Sequence, residues 1–186
     1  MSARVILVPG TWGNTPEHDD WWKPDRAFSA VLRQRGFEPL SFAWDTQLDG
    51  VLGENDKWLE AGRRLTKQIQ RGDCVIAHSH GGQVLAYAAA WGLGPVVTLA
   101  TPVRDDVPYS NIRSSSPNWT HVYGNYTDYM QLLGSAFDGH FHGWRRQMSF
   151  AHQNVKVNTN HEDTHDVETW DKYDLWRYLI CGRYVK

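Results

Sequence analysis

Short apolar runs bounded by glycine and proline alternate with stretches of helical period along the chain. Arg4-Val-Ile-Leu-Val8 is almost wholly apolar, the mark of a strand covered on both faces, and Pro9-Gly10-Thr11-Trp12-Gly13 breaks it. A helix is predicted from Pro24-Asp25 to Arg35, with Gly36 as its stop. A second strand follows over Phe37 to Trp44, and its Pro39 suits a sheet edge. Trp58, Leu59, Leu65 and Ile69 recur at roughly helical spacing across 56–70. Further apolar runs predict strands at Cys74 to Ala77, Pro95 to Ala100, Trp119 to Tyr123 and Val155 to Asn158. An amphipathic helix bearing Trp170, Tyr173, Leu175, Trp176 and Leu179 closes the tail across 167–184. This alternation predicts a three-layer α/β fold with a mostly parallel, doubly wound, six-stranded sheet. No repeat, low-complexity tract or linker divides the 186 residues, which suit a single domain, 1–186.

The chain is organised around 72–92, where the strand Cys74 to Ala77 leads through His78-Ser79-His80-Gly81-Gly82 into an alanine-rich helix, Gln83 to Trp91, stopped by Gly92. Small residues at 77, 81 and 82 let strand and helix approach closely, which pushes the central side chain out of the turn. Ser79 is thereby presented at a helix N-terminus, where the dipole favours developing negative charge.

Composition narrows the partners. Nineteen Lys and Arg against 21 Asp and Glu leave a formal charge of −2, which offers no surface for nucleic acid. The two cysteines, Cys74 and Cys181, read as buried thiols and not as a disulfide framework. No run approaches the ~20 apolar residues of a spanning helix, and the first strand begins without an apolar signal region. A cytoplasmic protein acting on a small molecule is expected, its oligomeric state unspecified. Of ten tryptophans, Trp58, Trp170 and Trp176 sit at helical spacing and read as core, whereas Trp12, Trp21 and Trp22 are the candidates to line a substrate pocket. His78, His80, His140, His142, His161 and His165 include two His-x-His pairs. A zinc set usually closes with carboxylates or cysteines, so no metal and no cofactor are expected.

The segment Ala77-His78-Ser79-His80-Gly81 resembles the nucleophile elbow of the α/β-hydrolase superfamily, with alanine for the first glycine, most closely that of its small lipases and esterases. Thr98-Leu99-Ala100-Thr101-Pro102 resembles a strand ending common in lipase-like members, and Pro9-Gly10-Thr11 resembles the turn that supplies their oxyanion donor. The resemblance implies a minimal core without a large cap and a strand order 2-1-3-4-5-6. It also implies a nucleophile, acid and base in that order along the chain.

Ser79 is then the nucleophile, and its hydroxyl needs a histidine base oriented by a carboxylate. Asp128, in the turn after the fifth strand, is the first candidate acid, with Asp105 and Asp106 as alternatives. His165, just before the last helix, is the first candidate base, and His161 the alternative. The backbone N–H of His80 and Thr11 are the candidate oxyanion donors. The implied activity is hydrolysis of carboxylic esters through an acyl-enzyme. Thioesterases, amidases and acyltransferases use the same machinery, and a non-catalytic binding relative is the alternative of another class.

Overall fold

The computed structural model describes residues 2–11, 20–44, 55–88, 90–125 and 146–180. The strands are β1 (Ala3–Val8), β2 (Phe37–Ser41), β3 (Cys74–His78), β4 (Val96–Leu99), β5 (Trp119–Tyr123) and β6 (Gln153–Lys156). They form one sheet in the order β2-β1-β3-β4-β5-β6, every pair parallel. The described helices are α1 (Ala27–Gln34), α2 (Asn55–Gln68), α3 (Gly81–Tyr87), α4 (Ser110–Ser115) and α5 (Val167–Lys172), with 3₁₀ segments at Glu162–His165 and Leu175–Leu179.

Alternation along the strands builds two cores. Ile6, Val8, Val75, Ala77 and Val96 face a group that includes Trp58 and Leu65 of α2 and Ile112 of α4. Val5, Leu7, Cys74, Ile76, Val97 and Leu99 face the opposite group, with Phe28 and Leu32 of α1 and Trp170 of α5. The four inner strands, β1, β3, β4 and β5, are largely buried on both faces, so their sequences read as apolar runs. Pro39 sits on β2, the edge strand, opposite Val5.

Three elements depart from the sequence pattern. The alanine-rich helix is shorter than predicted and ends at Tyr87, where α2 crosses it. A Cβ on Gly62 would lie 2.8 Å from the Tyr87 carbonyl carbon. Beyond it, Trp91 is exposed. β6 lies two residues earlier than expected, because an edge strand with one half-buried face carries no continuous apolar run. The closing helix is broken at Asp174, which is left-handed (φ 51°). Six positions apart on an unbroken helix, Trp170 and Trp176 would point about 120° apart. The break brings both rings onto Phe28, with centroids at 5.0 and 5.3 Å. No helix among the described residues is long and apolar enough to cross a membrane.

Candidate active site

The sheet order reverses between β1 and β3, and the turns that follow these two strands meet at their carboxyl ends. In open α/β sheets this is where ligands bind. Ser79 ends β3 with φ 50°, a left-handed backbone that a side chain adopts only under constraint. The constraint is visible on both sides. Its N–H continues the parallel ladder by donating to Leu99 O at 2.8 Å, and its own carbonyl accepts from Gly82 N at 3.0 Å. The helix behind it is pressed onto the end of β1. A Cβ on Gly81 would sit 2.6 Å from the carbonyl oxygens of both Val8 and Pro9, and one on Gly10 would meet Ser79 Cβ at 2.7 Å.

The two predicted oxyanion residues lie side by side, with Thr11 Oγ1 and His80 Nδ1 sharing a hydrogen bond. His80 occupies the N-cap position of α3, and its ring packs on that of Trp58, centroids 5.3 Å apart. The turn that carries Thr11 is pinned from below, where Trp44 Nε1 donates to Pro9 O at 2.8 Å.

Both candidate bases come to the same place, through His78. The alternation of β3 points His78 toward the α1 and α5 side, where the residues after β6 arrive. Its Nε2–H donates to the His161 carbonyl at 3.1 Å. Its ring lies 4.9 Å from that of His161 and 4.8 Å from that of His165. Burial, followed by the neighbouring imidazoles, pushes the His78 pKa well below the ordinary histidine value, so the ring is neutral.

The surroundings of the two bases differ. His165 is 2 % exposed and stacks face to face on Trp21, with centroids 5.1 Å apart and planes within 8°. Carboxylates flank both its edges, Glu162 Oε2 at 3.7 Å from Nε2 and Asp166 Oδ1 at 3.7 Å from Nδ1. Contact with His165 in turn lowers the Glu162 pKa to about 2. His161 stands at the N-cap of the 3₁₀ turn, with its carbonyl also accepting from Thr164 Oγ1 at 2.8 Å.

Of the remaining sequence candidates, Asp128 and Trp12 lie outside the described residues. Asp106 is held in a two-point fork by Arg104, at 2.9 and 2.8 Å. Trp22 is buried beneath the turn before α1, and Trp21 lines a depression of about 350 Å³ together with Arg26, Phe28, His165 and Asp166. The sequence pattern gave no role to Glu162 and named His78 only among the histidines for which no metal was expected. The alternation of β3 was the signal for His78, since it shares a face with Cys74 and Ile76.

The six-stranded order and a left-handed serine between strand and helix define the architecture, and comparison with solved structures agrees. The ydeN gene product of B. subtilis superimposes with a TM-score of 0.60 at 13% identity, covering 95% of this chain and 97% of that one. The chain has the α/β-hydrolase fold. A dienelactone hydrolase from Anabaena variabilis matches at a TM-score of 0.55 and 14% identity, over 96% of this chain and 88% of that chain. A Bacillus licheniformis lipase matches at 0.54 and 12%, over 96% and 93%. No family model and no curated protein sequence matches the chain.

Proposed function

We propose that the chain is a serine hydrolase that cleaves carboxylic esters through an acyl-enzyme, with Ser79 as nucleophile. The observation that carries this reading is the left-handed Ser79 at the β3–α3 turn. Such strain persists at functional corners, where the surrounding structure over-determines it. In the proposed cycle Ser79 attacks the ester carbonyl while a histidine takes its proton. The oxyanion forms against the N–H groups of His80 and Thr11, and the imidazolium then protonates the leaving alcohol. Water repeats the sequence on the acyl-serine.

His161 is the better base. A triad histidine needs one nitrogen for the serine and the other for its acid. His165 has a carboxylate beside each nitrogen and an indole over its face, which disfavours it. The acid is Asp128, placed by the family order of the triad. Trp21 and the depression beside it are candidates for part of the acyl or alcohol subsite. That the neighbours include a lipase and a dienelactone hydrolase supports the ester class. Labelling with a fluorophosphonate probe tests the reading. Stoichiometric modification at Ser79, blocked by a short p-nitrophenyl ester, is expected, and a folded chain that stays unlabelled would favour a binding protein.

A further inference from the structure

Apart from the proposed nucleophile and base, the described residues hold one group of three metal-ligating side chains, His78, Glu162 and His165. One nitrogen of each ring and a carboxylate oxygen lie within 4.8 Å of one another. Two imidazoles and a carboxylate are a set that zinc accepts, with water in the fourth position.

The hydrogen bonding of the His78 ring has the form expected of a metal ligand. A ligating histidine usually donates its other ring N–H to a carbonyl or carboxylate, which fixes the tautomer. His78 donates Nε2–H to the His161 carbonyl, leaving its lone pair on Nδ1. His165 has Asp166 beside Nδ1 and Glu162 beside Nε2, so a proton directed to Asp166 leaves Nε2 facing the Glu162 oxygen. The 3.7 Å between those two atoms is close to the ~3.3 Å that separates ligands bound ~2.0–2.1 Å from a tetrahedral ion. Both rings are buried, and His165 is held flat against Trp21. Glu162 is exposed at 55 % and is the arm that can close the remaining distance.

We propose that His78, Glu162 and His165 form a structural site for a divalent transition-metal ion of the zinc class, tying the loop after β6 to the end of β3. The site leaves Ser79 and His161 outside the coordination sphere. The ion fixes the turn that carries the base and takes no part in making the nucleophile.

The test uses the whole chain, stripped with EDTA and titrated with Zn²⁺ by calorimetry and with Co²⁺ by visible absorption. One ion per chain is expected, with a raised melting temperature and the intense bands of tetrahedral cobalt. Glu162→Gln, at an exposed position that folding tolerates, should weaken binding by more than about 100-fold, since changes behind metal ligands already cost roughly 10–100-fold. His165→Gln should do the same if it folds, whereas His152→Gln should bind normally. Absence of binding by the parent chain overturns the site. So does undiminished binding by Glu162→Gln, which would place the ion on other histidines.

Discussion

The two ends of the strands use their backbone in opposite ways. At the amino ends, the left-handed positions are all glycines, Gly36 before β2, Gly72 before β3 and Gly92 before β4, at φ 84°, 89° and 73°, and a Cβ on Gly36 or Gly72 would meet nothing within 4 Å. At the carboxyl ends the left-handed positions are Ser79 after β3 and Ala100 after β4, at φ 50° and 47°. Glycines there serve close approach, Gly10 and Gly81 each facing atoms nearer than 3.0 Å, as Gly94 does before β4. One end gives the strained conformation to the residue that adopts it freely. The other imposes it on side chains and holds it with the next rung of the ladder, where Ser79 N donates to Leu99 O and Ala100 N to Val122 O, both at 2.8 Å. The contrast makes the carboxyl end the place where the proposed chemistry is to be tested.

The largest effect should come from Ser79→Ala, which keeps the backbone and removes the hydroxyl. Turnover of p-nitrophenyl acetate should fall on the order of 10⁴-fold or more, by analogy with nucleophile deletions, with the melting temperature nearly unchanged. Activity within tenfold of the parent would remove the chemical meaning of the contrast. Next in size is the base. His161→Ala should lower kcat on the order of 10³-fold, and His165→Ala by less than about tenfold once its folded fraction is measured by circular dichroism. The reverse ranking would return the base to His165, and two mild variants would dismiss the triad.

These assignments show how much the sequence carried. The inner strands were legible, because strands buried on both faces cannot avoid reading as apolar runs, whereas their order, β2-β1-β3-β4-β5-β6, came only from the resemblance. The elbow was legible because glycine and alanine surround a single serine. The broken tail was hidden, since Trp170 and Trp176 satisfy a helical pattern as well as they satisfy two short segments meeting on Phe28. The surroundings of His165 were hidden too. Trp21 lies far from it in sequence and meets it only through the packing of the turn before α1. The flanking carboxylates, Glu162 and Asp166, were in view in the sequence, but whether the ring faces them or a serine is decided by the packing around it.

Close approach at the carboxyl end can be broken directly. Gly81→Ala would force a methyl group against two backbone carbonyls at 2.6 Å, and backbone cannot swing aside as a side chain can. A loss of about 3 kcal/mol is expected, at the upper end of overpacking costs, read by urea denaturation. A cost under about 1 kcal/mol would show that the α3–β1 contact yields. A comparable effect comes from a histidine inside the sheet. His121 on β5 accepts or donates at both nitrogens, Nδ1 with Thr98 Oγ1 at 2.9 Å and Nε2–H with Arg146 O at 3.0 Å. Burial lowers its pKa from 6.5 to about 4. Below pH 6.5 the unfolded chain therefore binds a proton that the folded chain refuses. The stability this group contributes is complete above pH 6.5 and declines as pH falls toward 4, by on the order of 3 kcal/mol in total. His121→Gln should flatten that part of the stability profile. An unchanged slope would assign the acid sensitivity to other groups.

The smallest effects test the contrast most closely, because they depend on its sign. A left-handed backbone costs a side-chain-bearing residue roughly 1–2 kcal/mol. Substituting glycine relieves that cost but loosens the unfolded chain, returning about 0.4–1 kcal/mol. Relief exceeds the return, so Ser79→Gly should stabilise the fold by up to about 1 kcal/mol while abolishing hydrolysis. Gly36→Ala runs the same terms backwards. The added methyl meets no atom within 4 Å, so no clash confuses the measurement, and a loss of up to about 1 kcal/mol is expected. Paired urea titrations of the two variants should move in opposite directions from the parent. If both destabilise, Ser79 is not strained in the folded chain, and the strained corner loses its claim to mark the active site.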